Sequence, residues 1–282
     1  MRCALALWLV LVAAPAGAAG EPGAAGASGA AGASGAAGAS GGGLEALGTA
    51  APPCDAARAH CLGLKLHVAV GEQGPVADPD WVVRQLAQAN RHFEPIGVGF
   101  QVVGVEGLPE AAARIEDARE RTALGRHVAG TVIDVFVTAQ LDDIDKKDSV
   151  IYGVAWPKGS KKYVIVSTMA WERTLAHELG HVFGLPHSAY SISIMNKTQR
   201  KEPPIEQRTF HANELAVMRA QLARMLREKV IAHVAPAAAG PKPPAGEKAP
   251  AGQTVAPAGQ TAPATGAPAA PAAPAEPVRA RP

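Results

Sequence analysis

The stretch from His177 to His187, reading His-Glu-Leu-Gly-His-Val-Phe-Gly-Leu-Pro-His, constrains this 282-residue chain more than any other. Two histidines four apart, with a glutamate directly after the first, are what a helix needs to grip one metal ion. Four residues of α-helix turn through about 400°, so the imidazoles of His177 and His181 stand one above the other. Glu178 lies about 100° round the helix from His177, too far to ligate but near enough to reach a water at the metal, and is placed as a base. Residues further along the helix climb away from the ion, so a third ligand has to come from beyond it. Gly184 tolerates the left-handed conformation that ends helices, and Pro186 does not continue one. His187 is then free to swing back. Three imidazoles with one open position are the donor set of a catalytic zinc site, whereas a structural site is closed by a fourth protein ligand.

These residues resemble the metzincin metallopeptidases, whose His-Glu-x-x-His-x-x-Gly-x-x-His signature is matched at every fixed position. Met195, in Ser-Ile-Met-Asn, resembles the Met-turn that lies beneath the metal in that family. Ser188 after the third histidine, and the spacing from His187 to Met195, are most similar to the matrixin (matrix metalloproteinase-like) branch. Asn196 and Lys197 depart from that branch, which usually carries an aromatic residue and a proline there.

The resemblance implies an α+β fold: a twisted, mostly parallel five-stranded sheet with an antiparallel edge strand, an active-site helix, a Met-turn and a C-terminal helix. It also implies one catalytic Zn2+, peptide hydrolysis by a metal-activated water with Glu178 as general base, and a peptide substrate lying extended along an edge strand. That edge would be Ile151 to Trp156, with Ala155 near the scissile bond and the loop after Met195 walling the adjoining pocket. No tyrosine follows Met195 closely, so no side chain is assigned to oxyanion stabilisation. Two other classes fit the same residues: a zinc amidase acting on a cell-wall or other nonprotein amide, and a noncatalytic surface protein with a structural zinc site.

The rest of the chain divides by composition. Residues 1–19, with Arg2, an apolar run and small residues at Ala16 and Ala18, read as a secretory signal peptide, too short in its apolar part to span a bilayer. Residues 20–52, rich in Gly, Ala and Ser, and residues 235–282, rich in Ala and Pro, lack bulky side chains to bury and are expected to be disordered. Residues 53–234 remain as one catalytic domain. The net charge of +2 offers no polyanion-binding face, so the expected partner is a protein or peptide substrate and not nucleic acid. The chain is expected to be an exported monomer, extracellular or in the cell envelope.

Within the domain, Leu62–Val70 reads as a strand and Asp78-Pro79 as a helix start, with Val82, Leu86, Ala89 and Phe93 on one face. Ile96 to Val102 alternates as a strand does, and Pro109–Leu124 reads as a surface helix that matrixins do not usually carry. Thr131–Thr138, Val150–Trp156 and Lys162–Val166 read as strands, Trp171–Phe183 as the metal helix and His211–Lys229 as the last helix. Cys54 and Cys61 are an even pair in an exported chain and are expected to form a disulfide. The alternative is that one thiolate reaches the zinc, as a propeptide cysteine does in matrixins. Asp142, Asp143, Asp145 and Asp148 invite a Ca2+ site, but Lys146 and Lys147 interrupt them, and a solvated turn is the better reading. His60, His67, His92, His127, His211 and His233 have no ligand spacing among themselves and read as surface or satisfied core residues.

Overall fold

The computed structural model of the chain describes residues 37–236. The expected signal segment and nearly all of the expected tail lie outside the described residues. In chain order the elements are α1 (Ala37–Ala50), β1 (His60–Gly71), β2 (Gly74–Pro75), α2 (Pro79–Phe93), β3 (Val98–Leu108), β4 (Arg114–Ile115), α3 (Ala118–Leu124), β5 (Ile133–Thr138), β6 (Gln140–Leu141), β7 (Gly153–Lys158), β8 (Lys161–Ser167), α4 (Thr174–Val182) and α5 (Ala212–Arg227).

The main sheet has six strands, one more than expected: β3-β1-β5-β8-β7 lie side by side in that order, and the two-residue β2 pairs antiparallel with the end of β1. The first four are parallel to their neighbours, and β7 runs antiparallel to β8 on the edge. This is the mostly parallel sheet with an antiparallel edge strand that the motif resemblance implies. The β7–β8 hairpin closes through Gly159, whose φ of +57° is the conformation such a tight turn asks for.

Side chains alternate across the sheet with a period of two. Leu62, Leu64, Leu66 and Val68 of β1 join Ile133, Val135 and Val137 of β5 in the core shared with α2, α4 and α5. Phe136, Tyr163 and Ile165 point to the opposite face and form a second, smaller core with Leu108, Ile115 and Leu124. On the first face Phe93 meets Phe100, Phe183 and Phe210 edge-on at centroid distances of 4.9, 5.0 and 5.3 Å. Phe183 directly follows α4, so this aromatic cluster anchors the end of the metal helix.

Asp78 caps α2 through the Trp81 amide at 2.6 Å, with Pro79 in the first turn, as its sequence predicts. Three expectations are corrected. Ala37–Ala50, expected inside the disordered leader, is helical: Leu47 is fully buried, Leu44 packs beside it, and Gly48 allows close approach to Val105. Two leucines three apart supply the stripe that the small residues around them lack. Pro109–Leu124 is not one helix. It is broken by β4, whose Ile115 is buried against the sheet, and α3 starts afresh at Asp117, which forms a capping box with Glu120. The metal helix begins at Thr174, three residues later than expected, because the Trp171 carbonyl is taken by the Thr174 amide and by Gln85.

Among the described residues no helix is long and apolar enough to cross a membrane. Cys54 and Cys61 are joined by a disulfide, with their Cα atoms 6.0 Å apart, so neither is a thiolate that could reach the metal helix.

Candidate metal centre and active site

His177 and His181 leave α4 on one face, and the chain turns at Gly184, with φ +88°, to bring His187 back to them. Their ring centroids lie 4.9 Å (His177–His181), 5.5 Å (His177–His187) and 4.9 Å (His181–His187) apart. One nitrogen of each ring lies within 4.8 Å of the others.

Two of the rings are oriented by main-chain carbonyls. His177 Nδ1 bonds the Ile194 carbonyl at 2.8 Å, and His181 Nδ1 bonds the Leu185 carbonyl at 2.7 Å. A carbonyl only accepts, so each Nδ1 carries the proton and each Nε2 presents a lone pair toward the third histidine. This is the arrangement that fixes the tautomer of metal-ligating histidines. Burial lowers the pKa of all three imidazoles, that of His181 to about 4, which keeps the rings in the neutral, ligating form. The donor set therefore fits zinc.

Glu178 is buried beside these rings, and burial pushes its carboxyl up to about 8, with the Ala155 amide of β7 pulling the other way. Its floor is Gly153: a Cβ there would stand 2.8 Å from Thr174 Cγ2 and 2.9 Å from Glu178 Cγ. Any side chain at 153 would displace the carboxylate.

Met195 is fully buried under α4. Gly180 admits it, since a Cβ at 180 would lie 2.6 Å from the Met195 sulfur. The turn is tied down by Ser193, whose hydroxyl accepts from the Met195 amide at 2.9 Å and meets both Glu214 oxygens at 2.9 and 2.7 Å. Glu214 also accepts from the His211 amide in the capping box of α5. The segment 193–195 thus links His177, through the Ile194 carbonyl, to the last helix.

A cleft of about 880 Å³ runs over the three histidines and Glu178, bounded on one side by β7 and on the other by the loop after Met195. Arg200 stiffens that loop by donating to the carbonyls of Ser191, Ser193, Asn196 and Thr198. Ala155 lines the cleft on β7, and among the described residues β7 pairs with β8 alone, leaving its other edge to the cleft.

Asp142 pairs with Arg114 at 2.7 Å and accepts from Gln140, and Asp143 accepts the Asp145 amide. Among the remaining histidines, His60 and His233 touch at 2.8 Å, and His67 and His127 converge with Glu106. Gly153, Gly180, Ser193 and Glu214 were not singled out from the sequence. The one signal for them was local, a glycine inside the motif and a serine two residues before the methionine.

Fold and site together resemble those of the metzincin-like zinc metallopeptidases, which are hydrolases. The family model described as matrixin matches residues 117–216, the span that carries the metal helix and the Met-turn. Among solved structures the chain is similar to archaemetzincin from Methanopyrus kandleri, at 19% identity and a TM-score of 0.42 over 60% of this chain and 100% of that one. It is also similar to metalloproteinase-II from Bacteroides fragilis, at 14% identity and a TM-score of 0.44, covering 61% of this chain and 55% of that one. A zinc-dependent peptidase from Methanocorpusculum labreanum is similar at 15% identity and a TM-score of 0.37, covering 55% of this chain and 100% of that one. No curated protein matches the chain.

Proposed function

We propose that the chain is an exported zinc endopeptidase in which His177, His181 and His187 hold the ion and Glu178 is the general base. The observation that carries this reading is the pair of carbonyl bonds to Nδ1 of His177 and His181, which leave three nitrogens converging beside a buried carboxylate. When bound, zinc would polarise the scissile carbonyl and acidify a water, the chemistry that lets hydrolysis proceed near neutral pH.

The chain's own groups supply the rest. Glu178 takes a proton from the attacking water and passes it to the departing amine, a task for which its carboxylate stands in the cleft beside the three histidines. The free edge of β7 accepts an extended peptide by main-chain hydrogen bonds, with Ala155 beside the scissile bond. The loop from Asn196 to Arg208 walls the pocket for the residue after the cut. Export is supported by the apolar N-terminal segment and by the Cys54–Cys61 disulfide, a bond at home in an oxidising compartment.

The test is cleavage of casein by the purified full-length chain, alone, with chelator, and as Glu178→Gln. Activity is expected to vanish with chelator and to fall at least about 1,000-fold in Glu178→Gln with zinc still bound. Full activity in that variant removes Glu178 from the role of base. Cleavage of isolated peptidoglycan but not casein replaces the peptidase reading by an amidase.

A further inference from the structure

On the face of the sheet away from α4, three side chains from distant parts of the chain converge. His67 comes from β1, Glu106 from β3 and His127 from the turn after α3, and one ligand-capable atom of each lies within 4.8 Å of the other two. His67 is fully buried and stacked on Phe136 at 4.6 Å between ring centroids. Its Nε2 meets Oδ1 of buried Asp134 at 2.9 Å. A carboxylate oxygen accepts, so the Asp134 contact places a proton on Nε2 and leaves Nδ1 facing the gap.

Nδ1 has no hydrogen-bond partner, although Glu106 Oε2 stands 3.3 Å away. A lone pair and a carboxylate oxygen facing each other repel unless a cation lies between them. A proton there would make Nδ1 a donor to Glu106, and the contact lacks the geometry of that bond. A proton also leaves the approach of His127 unused. Two imidazoles and one carboxylate are donors for a borderline transition ion, and a buried carboxylate behind the first histidine is the usual support of such a ligand.

We propose that His67, Glu106 and His127 form a second binding site for a zinc-like divalent ion, backed by Asp134 and separate from the His177, His181 and His187 centre. Lys65 pairs with the other oxygen of Glu106 at 2.5 Å, leaving Oε2 for the ion, and the exposed Arg126, now on His127 Nε2 at 3.1 Å, turns away as it enters. The ion clamps β1, β3 and the turn Gly125–His127 together. Lys158 of β7 donates to the carbonyls of Gly125 and Val128, so the clamp also braces the strand that borders the cleft.

The experiment is zinc titration of the tag-free, metal-stripped full-length chain, with bound metal counted by mass spectrometry. The wild type is expected to take two equivalents. Glu106→Gln and His127→Ala, both at solvent-accessible positions, are each expected to take one. His177→Ala/His181→Ala is expected to keep one, which Glu106→Gln then removes. A wild type that saturates at one equivalent left in place by Glu106→Gln, or a second equivalent that survives in either single variant, overturns the second site. A single equivalent that Glu106→Gln removes and His177→Ala/His181→Ala retains sinks the catalytic-centre reading instead.

Discussion

Glu178 owes its position to a residue that carries no chemistry. Gly153 leaves room for the glutamate stem and the Thr174 methyl where a Cβ would come within 2.9 Å of both. Gly153→Ala is therefore expected to shift the carboxylate by a few tenths of an ångström or more and to lower kcat by about 10- to 100-fold. Zinc content is expected to be unchanged, because the atoms nearest a Cβ at residue 153 belong to Thr174 and Glu178 and not to His177, His181 or His187. Wild-type kcat in the purified variant would mean that Thr174 and Glu178 yield without consequence. Gly180 plays the matching part beneath the helix, where the Met195 sulfur occupies the space of a missing side chain.

At the scale of elements, α4 starts without a side-chain cap of its own. Gln85, buried in α2, takes over: its Oε1 accepts from the Leu175 amide at 3.0 Å and its Nε2 donates to the Trp171 carbonyl at 2.9 Å. Gln85→Leu strands a buried N–H and should cost about 1–3 kcal/mol of stability, measured by urea unfolding of both proteins. A loss below about 0.5 kcal/mol would show that water or a neighbour satisfies the helix start. The contrast between α4 and its support marks what was legible in the sequence. The motif from His177 to His187 is local, its spacing translates directly into one helix and one turn, and the mostly parallel sheet with its antiparallel edge strand follows from the resemblance it carries. Gln85, 90 residues before Leu175, carries no such signal, nor do His67 and Glu106, which the pairing of β1 with β3 sets opposite each other, or His127, which the turn after α3 adds. Helix α1 escaped notice for a related reason: its two leucines are too few to stand out until β3 is beside them.

For the molecule as a whole, acid sensitivity has an identifiable source outside the metal centre. His92 is buried against Phe210, with burial first and then Arg91 and Arg173 lowering its pKa to about 4. Its value in the unfolded chain is about 6.5, so as pH falls the unfolded state binds the proton first. The stabilisation from a neutral His92 is complete above about pH 6.5, declines as pH falls toward about 4, and levels off below, for a total near 3 kcal/mol. Chemical denaturation across this range is expected to show the wild type losing stability as pH falls from about 6.5 toward about 4 by more than His92→Leu does, so that the gap between the two curves changes with pH. Parallel curves would place the acid sensitivity elsewhere.

The carbonyl bonds to His177 and His181 have one more consequence. The rings are aimed by Ile194 and Leu185, residues fixed by the Met-turn and by the end of α4, and not by whatever they will grip. The direction each ring faces is thus written into the backbone around residues 185 and 194, and a change that moved either carbonyl would swing an imidazole out of the trio.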